Sequence, residues 1–187
     1  MFITSHQQLF CRRFLRACLL AGLTVYALAW TVSVSAQTPP LLNQRDMVMT
    51  IPGDFSFASV GDLMMRRPAS QLADTAVQAA LQLISEADLA VGNMEGELAN
   101  LRDFNGPLNG FVGTHEVAAD LKKIGFDMVN RAQNHLLDSE VEGMFSTNTL
   151  LDEAGIVHAG TGRNLDQAAA PAYLELPQGR VAMVGMH

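Results

Sequence analysis

Six polar side chains stand near the ends of apolar runs in this chain. Asp62 lies in "SVGDLMMRR", Asn93 and Glu95 in "LAVGNMEGEL", and Asn134, His135 and Asp138 in "MVNRAQNHLLD". Carboxylates, carboxamides and an imidazole are the oxygen and nitrogen donors that suit hard or borderline divalent cations. An imidazole beside them can also move protons near neutral pH. Each residue has an ordinary reading as well. Asp62 after Gly61 can form a turn, Asn93 can hold a left-handed backbone, and Asp138 can cap the helix that follows. Glu95 alone reads as a surface carboxylate, and His115 and His158 as solvated or hydrogen-bonded histidines. The functional reading requires the three segments to meet.

The surrounding pattern says how they would. "FSFASV" (55–60), "DLAVGNM" (88–94), "FDMVN" (126–130) and "IVHAG" (156–160) read as strands. Ser70 is expected to cap a helix over 71–86, with Leu72, Ala76, Ala79, Ala80 and Leu83 at helical spacing. A second helix is expected from Thr114 to Lys123, with Gly125 just past its end, and a third over 140–154, stopped by Gly155. Between strand two and the second helix, "NLRDFNGPLNGFVG" (100–113) reads as a loop. "NLDQAAA" reads as one or two helical turns, and "AYLELP" and "RVAMVGM" as a hairpin joined at Gln178–Gly179. Strands alternating with helices predict an α/β fold with a largely parallel sheet. Open sheets of that kind bind ligands at the carboxyl ends of their strands, which is where the six residues fall. "RVAMVGMH" reads as a buried-type strand that needs cover on both faces, so a C-terminally truncated reading frame is expected.

The amino-terminal 36 residues read as a signal peptide, followed by a proline-bearing linker over 37–53. Arg12, Arg13 and Arg16 form a positive region, "ACLLAGLTVYALAWTV" (17–32) an apolar one, and "VSA" (34–36) a small-x-small cleavage site. The alternative is an uncleaved membrane anchor. Cys11 and Cys18 both fall inside this segment, so the mature chain has no thiol for a disulfide or a cysteine-ligated metal. Beyond residue 36, nine basic residues face nineteen acidic ones, a net charge of −10. Nucleic acid is not an expected partner, because neutralising phosphates takes a basic face.

Four stretches carry a family resemblance: "FSFASVGDLMMRR" (55–67), "ADLAVGNMEGELA" (87–99), "LKKIGFDMVNRAQNHLLDSEVEGMFSTNTLLDEAGIVHAGTGRNLDQA" (121–168) and "GRVAMVGM" (179–186). Their order and spacing resemble the CapA family of poly-gamma-glutamate capsule biosynthesis proteins, related to calcineurin-like metallophosphoesterases. The resemblance implies a layered α/β/β/α sandwich, with 54–187 as the amino-terminal part of its domain. It implies metal ligation by Asp62, by Glu95 with Asn93, and by Asn134, with His135 as general acid or electrostatic stabiliser. The ions would be divalent: Mn, Zn, Fe or Mg. Such a centre lowers the pKa of a bound water and clamps the oxygens of a phosphoryl group. Arg66, Arg67 and Asp138 are candidates for contacting substrate. The chain departs from the pattern at several points. Met64 stands where the phosphoesterases place a histidine, Gln133 where the family has Asn, and Ser139–Glu140 where it has an aromatic–Gly pair. The late histidine motif that completes the metal site is not within residues 1–187.

Three functions compete on this reading. One is an exported metal-dependent hydrolase acting on a phosphorylated envelope precursor or an anionic polymer. Another is a non-catalytic factor for polymer export or assembly, within a membrane-bound synthesis complex. The third is an inactive truncated fragment.

Overall fold

The structure, a computed structural model, describes residues 53–187. The expected signal segment (1–36) and all of the linker (37–53) except Gly53 lie outside them. Four strands form a parallel sheet in the order β1-β2-β5-β6, where β1 is Phe57–Asp62, β2 Leu89–Asn93, β5 Met128–Asn130 and β6 Val157–Ala159. Two short strands, β3 (Glu97–Ala99) and β4 (Val112–Thr114), pair in parallel beside it, and β7 (Ala172–Leu176) and β8 (Gly179–Met183) form an antiparallel hairpin. The helices are α1 (Thr75–Ser85), α2 (Glu116–Ile124), α3 (Glu140–Ala154) and α4 (Leu165–Ala169). This is the expected mixed α/β architecture with a mostly parallel central sheet, consistent with a calcineurin-like α/β fold. Among the described residues no helix is long and apolar enough to cross a membrane.

The core explains why these segments order as they do. Ala90, Met94, Leu98, Val117, Leu121, Phe126, Val129 and Leu151 are all within 2% of full burial or closer. They join β2, β3, β5, α2 and α3 into one apolar cluster. Burying such side chains contributes about 1.5–3 kcal/mol each for the larger ones. Gly125 and Gly155 close α2 and α3 in the left-handed conformation, as their places in the sequence imply.

Three expectations need correction. Ser70 caps no helix. Its amide and hydroxyl, with the amide of Ala69, donate to the buried carboxylate of Asp120 on α2, and α1 starts later, capped by Asp74 through the amides of Ala76 (2.8 Å) and Val77 (3.1 Å). Thr114 ends β4 instead of opening a helix, so the expected loop over 100–113 already contains strand. And β8 is not a buried-type strand. It alternates half-buried and exposed residues and ends at Met183.

Candidate functional site

Strand register brings the polar residues into a row. Asp62 pairs with Asn93 across β1 and β2, and Asn93 with Asn130 across β2 and β5. An irregularity in β1 makes this possible. Ser59 pairs with Val91, so regular pairing would set Gly61 opposite Asn93, but one extra residue shifts Asp62 into that place. Because side chains alternate faces along a strand, a shift of one residue decides which side of the sheet Asp62 serves. The chain then folds over β2. Leu63 donates its amide to the Asn93 carbonyl at 2.7 Å, and its side chain lies where a Cβ on Gly92 would stand, 2.7 Å from that position. A larger residue at 92 would require the Leu63 and Val60 side chains to shift.

The side chains converge on one atom. Asn93 Nδ2 donates to Asp62 Oδ1 at 2.8 Å and to Glu95 Oε2 at 2.7 Å. Those two carboxylate oxygens therefore stand no farther apart than the sum of the distances, 5.5 Å. Asn130 Nδ2 donates to Asn93 Oδ1 at 2.8 Å and fixes which way the Asn93 amide faces. Asn130 is itself fixed by the turn after β5: its Nδ2 donates to the Ala132 carbonyl and its Oδ1 accepts the Ala132 amide.

The loop after β5 brings the imidazole. Gln133 accepts the His135 amide through its side-chain oxygen. His135 Nδ1 lies 2.8 Å from Asp138 Oδ2, and its Nε2 lies 3.7 Å from Glu95 Oε1. The hydrogen bond to Asp138 raises the His135 pKa above its ordinary value of 6.5. Partial desolvation opposes the rise, and the charges of Asp138 and Glu95 add to it. A raised pKa favours the imidazolium, the form able to donate a proton.

Not every candidate joins this cluster. Asn134 is exposed, and among the described residues it takes no part in the hydrogen bonds above. Arg66 and Arg67 are exposed and line a cleft of about 650 Å³ with Met64, Met65, Pro68 and Phe111. Arg66 stacks over the Phe111 ring at 4.8 Å. His158 turns instead toward α3, where Nε2 lies 3.2 Å from Asp152 Oδ1. Asn130, which the sequence places with Asn134 at the end of the third strand, is the amide that enters the network. Its signal is its place as the last residue of β5, in register with Asn93.

The donor set is mainly oxygen, with one imidazole, and two carboxylates held against a single amide nitrogen. That nitrogen carries partial positive charge between two anions, a position that a hard cation also satisfies. Among the described residues no three His, Cys, Asp or Glu are grouped closely enough to hold an ion by themselves.

The mixed α/β architecture and its mostly parallel sheet are those of the calcineurin-like class. More specifically, residues 56–187 match the family described as bacterial capsule synthesis protein PGA_cap, and the chain belongs to that family. Two proteins of Sinorhizobium fredii (strain NBRC 101917 / NGR234), named uncharacterized protein y4sH and uncharacterized protein y4uA, are each 39% identical to it over 136 residues. The similarity covers 70% of this chain and 30% of each relative, so the chain spans about a third of their length.

Proposed function

We propose that this chain contributes the first ligands of a divalent-cation site in an exported protein of capsule synthesis. The site acts by phosphoesterase-like hydrolysis on a phosphorylated envelope polymer or its precursor, whereas an anionic polymer such as poly-gamma-glutamate, which has no phosphoester bond, would be held and not cleaved. The observation that carries this reading is the sharing of Asn93 Nδ2 by Asp62 and Glu95. Asp62 and Glu95 would hold the ion through carboxylate oxygens, the ion taking the place that Asn93 Nδ2 occupies between them, and an oxygen of Asn93 or Asn134 would join only once its side chain had turned toward the cluster. A bound Mn, Zn, Fe or Mg ion would supply Lewis acidity toward phosphoryl oxygens. His135 supplies the proton for the leaving oxygen, its Nδ1 held by Asp138 so that Nε2 faces the cluster. General acid catalysis of this kind contributes about 10²–10⁴-fold. Arg66 and Arg67 are the nearest basic side chains in sequence to Asp62 and would meet an anionic substrate. With a mature net charge of −10, a cation between protein and polyanion also relieves their repulsion. Export rests on the arginines, apolar run and small residues of the first 36 positions.

One observation favours a second reading, a non-catalytic assembly factor in a membrane-bound synthesis complex. Met64, at the position where phosphoesterases carry a histidine, is 55% exposed and offers only a thioether. The discriminating experiment compares the full-length protein with its Asp62→Ala and His135→Ala variants, with Mn²⁺ or Zn²⁺ present. The hydrolase reading expects phosphodiester cleavage that both substitutions abolish. Cleavage unchanged in both would refute it. Polymer binding that persists without metal, with no cleavage, would establish the assembly role.

A further inference from the structure

Behind the carboxylate cluster lies a second pair of charges. Arg131 is fully buried and Glu97 is 1% exposed. Arg131 Nη1 donates to the carbonyls of Gly96 at 2.7 Å and Met94 at 3.3 Å, the residues on either side of Glu95. Its backbone amide donates to the Ala159 carbonyl at 2.8 Å, which ties the same residue to β6. Glu97 Oε2 accepts the Ser139 amide at 2.8 Å. Ser139 directly follows Asp138, the partner of His135. The two buried groups thus hold the backbone beside each of the two segments that carry the site.

The two charges also sense one another. Burial pushes the Glu97 carboxyl up, hydrogen bonds from Ser139 oppose that push, and the Arg131 charge opposes it further. Burial lowers the Arg131 pKa to about 10, with the Glu97 charge working against the fall, so the guanidinium stays protonated at neutral pH. Glu97 Oε1 and Arg131 Nε and Nη2 are buried with no hydrogen-bond partner among the described residues. Buried charges of this kind are costly, and replacement by apolar groups is often neutral for stability. A role in geometry accounts for the arrangement better than a role in stability.

We propose that Arg131 and Glu97 are positioning residues for the carboxylate–imidazole cluster: the arginine fixes the turn that carries Glu95, and the glutamate fixes the loop that carries His135 and Asp138. This rests on reading the cluster as a cation site. Among the described residues neither side chain hydrogen-bonds to Asp62, Asn93, Glu95 or His135.

The test uses the full chain with Arg131→Met, Arg131→Lys and the double substitution Arg131→Met/Glu97→Gln. Three properties are measured: thermal melting, amide hydrogen exchange resolved by peptide mass spectrometry, and Mn²⁺ affinity by electron paramagnetic resonance. Arg131→Met leaves Glu97 unbalanced and is expected to melt lower or not to fold. The double variant removes both charges but keeps an acceptor for the Ser139 amide, so it is expected to recover a cooperative melt. In that variant the amides of 94–97 exchange at least tenfold faster, and those of 128–130 and 138–140 keep their wild-type rates. Its Mn²⁺ affinity falls by about tenfold, the low end of what loss of a ligand's supporting contact costs. A purely structural pair predicts recovery of all three properties together, and wild-type exchange at 94–97 or wild-type Mn²⁺ affinity in the folded double variant overturns the proposal. If the double variant does not fold, Arg131→Lys decides. Its single ammonium cannot reproduce the planar guanidinium's reach to both carbonyls, and unchanged exchange at 94–97 there overturns the proposal equally. A wild-type chain that binds no Mn²⁺ refutes the cation reading, and the exchange measurements then decide the positioning role alone.

Discussion

Replacing the Thr147 hydroxyl by a methyl group, Thr147→Val, isolates one buried hydrogen bond between a helix and a strand. Thr147 is fully buried on α3, and its Oγ1 accepts the amide of Leu98 in β3 at 2.8 Å while donating to the Gly143 carbonyl at 2.8 Å. Valine keeps the shape and leaves the Leu98 N–H, also fully buried, without a partner. An orphaned buried donor costs about 1–3 kcal/mol. The added methyl returns about 0.8 kcal/mol of apolar burial. The Gly143 carbonyl loses little, because it still has its helical bond. The balance is a destabilisation of about 0.2–2 kcal/mol. For a domain of this size the upper end corresponds to a fall in melting temperature of roughly 4–8 °C. Urea unfolding followed by far-ultraviolet circular dichroism, with the slope unchanged, gives the free energy directly. A Thr147→Val chain more stable than the wild type would refute the assignment of Thr147 as the anchor of β3.

Three further outcomes are expected. Asp138→Asn removes the main cause of the raised His135 pKa, so the imidazole midpoint, followed by nuclear magnetic resonance in metal-free buffer, moves down toward or below 6.5. Since a raised histidine pKa contributes stability that is present below the unfolded value and lost as pH rises through the folded one, the variant should also lose part of the wild type's pH dependence just above 6.5. Glu140 adopts φ 60°, a left-handed conformation that costs a non-glycine residue about 1 kcal/mol or more. Glu140→Gly should therefore melt no lower than the wild type and Glu140→Val several degrees lower, and equal melting of the two would disprove the strain. Gly143→Ala, favourable by about 1 kcal/mol in an exposed helix, should instead destabilise by about 1–3 kcal/mol, because the new Cβ would stand 2.6 Å from Glu97 Oε1 and 2.6 Å from Ser139 Cβ; calorimetry gives the sign.

What the sequence reveals here is whatever local chemistry determines. The span of α3 follows from Gly155, the end of α2 from Gly125, and the hairpin from Gln178–Gly179, because each turn residue acts within a few positions of itself. Ser70 was misleading because its partner, Asp120, lies 50 residues away, and a hydroxyl before an apolar run looks the same whether it caps a helix or serves a distant carboxylate. β3 and β4 escape notice because three residues carry no periodicity and their parallel partners are far apart in the chain. At the site, the convergence of the segments holding Asp62, Asn93, Glu95 and His135 follows from strand ends in an α/β sheet. Which amide enters the hydrogen-bond network does not. Asn130 and Asn134 are both plausible by spacing, and only the register with Asn93 and the turn through Ala132 separate them. Arg131 and Glu97 are hidden for a similar reason, since charged residues are expected at the surface.

The sheet β1-β2-β5-β6 is parallel throughout, so none of its strands can close on its sequence neighbour through a tight turn. Chains of this kind gain their contacts only after long loops have closed, and they fold slowly. Asp62 waits for β2, and Asn93 waits for β5, before either has its partner. Until β5 has been synthesised the cluster is incomplete, because Asn93 has no Asn130 to orient it.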